Sequence, residues 1–294
     1  VADAAPAAAR FRDDRRFFAR VEELAPGARV FCLPYMPFPE VPPLHGVNAY
    51  EHARVFLHSD TLVAGYGAIK SREADEWLKS VSFDTPANRL RRLVVRGFDG
   101  VFIDGRGYLT QADANRVVAE IKNEIPRGVA APEVIHDDGR QVYLDLRPYR
   151  DWLRQQSPEF FDREAARERE WVALCFLRGF PSHEAFGQEH RHRLGYRTAV
   201  LQFVNPSDRD RTFTFEATFN ANHEGEFQIR IAGGAVRRWF DTSLDGSGAC
   251  HLVGRMVGRQ GGAIHRQDRV LRGGRHAGLP GRRGEPAAGR LRIA

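Results

Sequence analysis

Residues 97–108 read GFDGVFIDGRGY, an apolar run that ends on an aspartate and passes at once into two glycines, an arginine and a tyrosine. A carboxylate there can be the polar stop where a buried strand reaches water. It can also be an acid presented at the mouth of a sheet, since open α/β sheets bind ligands beyond the carboxyl ends of their strands. Two further apolar runs end in comparable residues. ARVFCLPY delivers Tyr35, with Glu40 in the loop behind it, and TLVAGYGA delivers Tyr66, preceded by His58 and followed by Lys70 and Arg72. With Asp104, Arg106 and Tyr108 these form a candidate set for a hydroxylated ligand. Carboxylates accept from sugar hydroxyls, aromatic rings cover the apolar sugar face, and cations take an anionic group. Hydrolysis of a glycosidic bond needs two carboxylates about 5–10 Å apart, one of them protonated; Asp104 and Glu40 are the candidate catalytic pair. The plainer reading, a strand-end acid and a solvated loop acid, is the more frequent one.

Other chemistry finds less support. PSHEAFGQEHRHR (181–193) gathers His183, His190 and His192, and His-x-His can chelate a metal from one face of a strand. As a polar connection without cysteine it reads as a solvated loop, and neither a metal nor a cofactor is expected. No GxSxG, P-loop or GxGxxG leading into a helix is present. Cys32, Cys175 and Cys250 are far apart, with no CxxC spacing, and so offer neither a disulfide framework nor a zinc site.

These candidates need elements to hold them. A charged helix around DDRRFFARVEEL precedes the ARVFCLPY strand, and the proline-rich loop MPFPEVPPLHG (36–46) cannot be helix or central strand. Helices through AYEHARVFLHS, 72–81 and 86–96 follow, with Trp77, Leu78, Leu90, Leu93 and Val94 facing inward. GVFID is the third strand. The helix after it carries a T-x-x-D capping box at Thr110 and Asp113, and Ala114, Val117, Val118, Ile121 and Ile125 repeat at helical spacing. Asp138-Gly139 suits a tight turn, so 133–146 reads as a hairpin. The alternation predicts an α/β domain over 11–156, with a mainly parallel sheet flanked by helices, doubly wound or part of a barrel. Residues 157–196 read as linker and connection. From 197 to 250 the period changes to two, as in TFTFEATF, which predicts an antiparallel β-sandwich that is incomplete.

The chain has 294 residues and a formal net charge of +6. Residues 251–294 hold ten Arg and two acids, a net of +8, which leaves 1–250 at −2. The basic signal therefore belongs to the tail, and no nucleic-acid partner is expected for the body. The tail is rich in Arg and Gly and has no aromatic residue, as GC-rich DNA yields when read out of frame; it is expected to be frameshifted or disordered. VADAAPAAAR lacks an initiator Met and the layout of a signal peptide, so it reads as a cut end. No run reaches the length of a membrane span.

The stretches DDRRFFARVEELAPGARVFCLPYMPFPE, YEHARVFLHSDTLVAGYGAIKSREADEW and GFDGVFIDGRGY together resemble a known family. It is the soluble C-terminal region of large bacterial multi-spanning membrane proteins labelled glycosyltransferases, phosphoglycerol transferases or sulfatase-like proteins. TAVLQFVNPSDRDRTFTFEATF is similar to the sandwich that ends such chains. The resemblance spans about residues 11–250, departs from the family pattern at Cys32 and Ile69-Lys70-Ser71, and transfers no catalytic assignment. It implies a periplasmic domain of a membrane-bound transferase, with a transmembrane region upstream in the same polypeptide and a carbohydrate or lipid-linked sugar as partner. Three functions follow: an accessory glycan-binding domain, a free-standing carbohydrate hydrolase using Asp104 and Glu40, or a structural module without ligand.

Overall fold

The computed structural model describes residues 4–178, 182–186, 189–193, 200–207, 211–220, 243–244, 249–258 and 288–292, with side chains for 5–175 and 202–207. The chain divides into two compact units, 1–70 with 77–169, and 71–76 with 170–294.

In the first unit α1 (Ala4–Leu24) leads into β1 (Arg29–Leu33). A 3-10 turn (Glu51–Ala53) continues as α2 (Arg54–His58), followed by the two-residue β2 (Val63–Ala64), α3 (Glu73–Ser82) and α4 (Pro86–Arg96). Then come β3 (Gly100–Asp104), α5 (Gln111–Asn123), the hairpin β4 (Glu133–Ile135) and β5 (Gln141–Asp145), α6 (Arg147–Gln156) and α7 (Pro158–Arg169). The local signals act as expected. Thr110 and Asp113 close a full capping box on α5. Thr85 caps α4 with Pro86 behind it, and Gly97 ends it at φ 94°, the left-handed conformation that glycine adopts without a Cβ penalty.

The sheet is mixed and open, in the order β2-β1-β3-β5-β4. β1 runs parallel to β2 and β3, whereas β5 runs antiparallel to both β3 and β4. The mainly parallel sheet expected from the alternation is therefore parallel in one half only. The α5 crossover returns β4 in the direction of β3, and the tight turn through Gly139 (φ 70°) slots β5 between them. The two edges, β2 and β4, leave no barrel closure.

Both faces of the sheet are covered. Val30, Cys32, Phe102, Val134 and Tyr143 pack against Phe17, Phe18 and Val21 of α1 and Val55 of α2. Asp14 completes the α1 stripe at 14, 17, 18 and 21, the spacing of one helical face. On the other face Phe31 meets Trp77 and Phe98 edge-on, and Leu90, Leu93, Val94 and Ile121 are buried.

The glycines flanking Arg106 are there for room. A Cβ on Gly105 would sit 2.5 Å from the Arg140 carbonyl oxygen, and one on Gly107 would sit 2.5 Å from the Pro34 ring. Gly107→Ala is expected to cost about 1–3 kcal/mol by overpacking, measured by urea unfolding; an unchanged midpoint would mean the Pro34 loop yields freely.

In the second unit the described strands pair only antiparallel. β6 (Ala173–Arg178) joins β9 (Val200–Val204) in a two-stranded sheet. The others are β7 (Ser182–Phe186), β8 (Glu189–Arg193), β10 (Arg211–Asn220), β11 (Ser243–Leu244), β12 (Ala249–Gly258) and β13 (Ala288–Arg292). They follow the order β11-β12-β10-β13-β8-β7. The packing of sheet on sheet that a sandwich requires, and the strand expected at 227–231, lie outside the described residues. Two expectations change. The histidine-bearing segment 181–193 contains two strands instead of a loop. Most of β12 and all of β13 come from the tail, because backbone pairing along TFTFEATF needs no apolar alternation in its partner. No described helix is long and apolar enough to cross a membrane.

Candidate functional site at the carboxyl ends of the parallel strands

Asp104 is the last residue of β3 and shares a face with Phe102, in register with Gln141 of β5. That face lies under α1 and α2, so the carboxylate points into the protein and is 1% exposed. Its Oδ1 accepts from the Arg106 backbone N–H (3.2 Å) and from Arg106 Nε (2.8 Å); Arg106 Nη2 lies on Oδ2, to which Gln141 Nε2 also donates at 3.3 Å. The same guanidinium reaches Glu51 at 3.4 Å, and Glu51 takes Arg10 and Arg54 Nε, each at 2.7 Å. Arg54 closes on Asp14, whose carboxylate stands 3.6 Å from His136 Nε2, while His136 Nδ1 contacts Asp138 at 2.8 Å.

The result is a continuous ionic chain, Asp104–Arg106–Glu51–Arg54–Asp14, that ties the carboxyl end of the sheet to the start of α1 and the turn before α2. Burial pushes the Asp104 carboxyl up to about 7, and the two-pronged guanidinium compensates for holding a charge there. Burial likewise raises Asp14, against the pull of Arg54 and Arg10. Cys32 is pushed up to about 12 by burial and by Asp104, so it stays a thiol and has no nucleophilic character.

Beside this network lies a narrow cleft lined in part by Cys32, Tyr35, Met36, His52 and Tyr66, with interior room for about one water molecule. His52 is 1% exposed. Its Nε2 stands 2.9 Å from the Pro34 carbonyl, which fixes the proton on that nitrogen, and Nδ1 is a buried acceptor with no protein partner. Burial lowers its pKa to about 4, so the ring is neutral at physiological pH.

At the outer rim stand the aromatic rings of Phe38, Tyr50 and Tyr66. Tyr50 is 45% exposed, and its backbone is held at φ 69°, an uncommon conformation for a residue with a side chain. Its N–H donates to the Tyr66 hydroxyl at 3.1 Å. Phe38 meets the Tyr50 and Tyr66 rings edge-on at 5.9 and 5.8 Å.

The sequence candidates divide accordingly. Tyr35 and Tyr66 line the cleft, Asp104 and Arg106 neutralise each other, and Lys70 Nζ reaches the Glu40 carbonyl at 3.3 Å. Glu40 itself is exposed in its loop; the carboxylate that shares a cation with Asp104 is Glu51. His58 packs against Phe11 and Phe18, with its Nε2 3.9 Å from the Asp14 carboxylate at the far end of the ionic chain. Tyr108 is half-buried, with its phenol raised by burial against the pull of the Arg89 charge. Arg72 is exposed and belongs to the other unit.

Asp14, Glu51, His52, Arg54 and His136 were not among the sequence candidates. Asp14 had a signal, a charge inside the apolar stripe of α1. The others read as solvated helix and turn residues. Among the residues described with side chains, no cluster of His, Cys, Asp and Glu suits a metal ion. No protein-family model, curated protein or solved structure matches the chain.

Proposed function

We propose that this chain is the extracytoplasmic domain of a bacterial membrane transferase acting on envelope glycans or lipid-linked sugars, and that it binds the glycan without catalysing its transfer. In this reading the C-terminal strands form the sandwich, a transmembrane region precedes the domain in the same polypeptide, and the protein sits on the periplasmic face of the inner membrane. The observation that carries it is Tyr50, an exposed aromatic ring fixed in a left-handed backbone conformation at the carboxyl ends of the parallel strands. Strained residues concentrate at ligand sites, and a rigid exposed ring is the surface on which a sugar's apolar face stacks. The neighbouring cation, Lys70, suits an anionic sugar or a lipid-linked phosphate.

A hydrolase is less well supported. Asp104 is enclosed and bonded to Arg106 and Gln141, and Glu40 is a loop acid with no described contact to it. The test is a binding screen against envelope glycan fragments and short-chain polyprenyl-phosphate sugars. Tyr50→Ala is expected to weaken the retained ligand about tenfold with an unchanged melting temperature. If no such glycan is retained, or Tyr50→Ala binds as tightly as wild type, the reading fails and a ligand-free structural module replaces it.

A further inference from the structure

The outer edge formed by α1 and α2 uses none of the residues of the glycan reading. On α1, Ala8, Phe11, Arg12 and Arg15 are all exposed and follow the i, i+3, i+4, i+7 spacing of one helical face. α2 joins that face where the Phe11 ring meets His58, their centroids 4.4 Å apart. Val55 and His58 turn inward. That leaves Phe56 and Leu57 on the outer side of α2, 49% and 67% exposed, with Phe11 at 51%. Large apolar side chains gathered on one surface mark a contact site, whereas isolated ones need no explanation.

The charges select the partner. Arg10, Arg16, Arg20 and Arg54 are each held by an acid. Arg12 and Arg15 have no ion pair among the described residues. Burial chiefly, with the charges of Arg54 and Arg15, disfavours a proton on His58, so Arg15 stands near the ring that Phe11 covers. The exposed acid after α2, Asp60, lies by its backbone at Glu22, about 16 Å along α1 from Phe11. Two spare cations thus sit beside three exposed apolar side chains, the pairing that suits an anionic lipid surface.

We infer that this edge docks on a bilayer containing anionic lipid, with Phe11, Phe56 and Leu57 entering the boundary between head groups and acyl chains and Arg12 and Arg15 on the lipid phosphates. Arginine stems reach outward while the shorter apolar side chains go deeper, so both contacts form at once.

The test uses the full chain with no glycan present, so its failure is separate from failure of the glycan reading. Leu57→Cys, labelled with the fluorophore NBD, is mixed with vesicles of phosphatidylcholine alone or of equal parts phosphatidylcholine and phosphatidylglycerol. The chain without that substitution, treated alike, gives the background. The label should shift to the blue and escape an aqueous quencher with the anionic vesicles only. In the labelled chain, Arg12→Gln with Arg15→Gln should raise the lipid needed for half the shift about thirtyfold, and Phe11→Ser with Phe56→Ser at least about tenfold. Arg116→Gln with Arg127→Gln, exposed arginines on α5 and just beyond it, should leave it unchanged. Melting curves establish that each variant folds; if one does not, the label on the otherwise intact chain still decides. An unmoved label would overturn the site even if the chain sediments with vesicles, since the arginine-rich tail then holds the lipid. An equal shift on phosphatidylcholine alone, or a shift indifferent to both pairs of substitutions, would overturn it as well. So would a shift that follows protein concentration without vesicles, which would make the edge an interface between copies.

Discussion

Arg106→Met is expected to lower the unfolding free energy by about 3–5 kcal/mol, the usual cost of removing one partner from a buried ion pair. Arg106 is the group that touches both Asp104 and Glu51. Methionine keeps most of the volume, so the loss reports charge and not a cavity. Without the guanidinium, Asp104 retains only Gln141 and the backbone N–H of residue 106 as donors and must either stay charged in a buried place or take up a proton. The loss should therefore shrink as pH is lowered. Asp104→Asn introduced together with Arg106→Met should recover a large part of it, because the stranded charge is gone. Urea unfolding of wild type, both single variants and the double variant gives the coupling directly. A loss below about 1 kcal/mol in Arg106→Met would mean that water reaches Asp104 and that the network is no tie between sheet and helices.

The second large effect is a pH dependence set by His52. Burial lowers its pKa from 6.5 to about 4, so between those values the unfolded chain binds a proton that the folded chain refuses. Stability from this residue is complete above pH 6.5 and is lost progressively as pH falls towards 4. The full amount is about 3 kcal/mol, because each tenfold difference in proton affinity between folded and unfolded chain is worth roughly 1.4 kcal/mol. Asp104 and Asp14, both raised, contribute with the opposite sign over part of this range, so the total curve mixes the groups. The readout is the difference between wild type and His52→Asn, measured by denaturant unfolding from pH 4 to 8. The difference curve should rise with pH across that window and flatten above it. A difference that stays constant with pH would show that the imidazole binds its proton equally well in the folded and unfolded chain.

The local architecture was legible because its signals are local. A capping box, an Asp-Gly turn and an apolar five-residue run each act within a few residues, and α5, the hairpin and β3 follow from them. The sheet's polarity was not, since nothing in QVYLD says whether it pairs with β4 alone or also inserts beside β3. The site was half legible. The three strand ends do lie side by side, as their order suggested. What became of the charges depended on partners distant in sequence: Glu51 is 55 positions from Arg106, and Asp14 is 40 from Arg54. Spacing along a chain cannot reveal such pairings, and Arg10, Glu51 and Arg54 look like ordinary surface residues until the helices dock.

The two borders of the mixed sheet bear on how the protein behaves when crowded. An unpaired strand edge is a template on which another chain can build, and the danger grows with its length. Here β2 offers only Val63 and Ala64. At the opposite border Arg20 donates to the Ile135 carbonyl at 2.9 Å, and Lys122 holds Glu133 at 2.8 Å. One border is too brief to recruit a strand, and the other is occupied by charged side chains, so the sheet that carries the aromatic rim is poorly suited to seeding intermolecular β-structure.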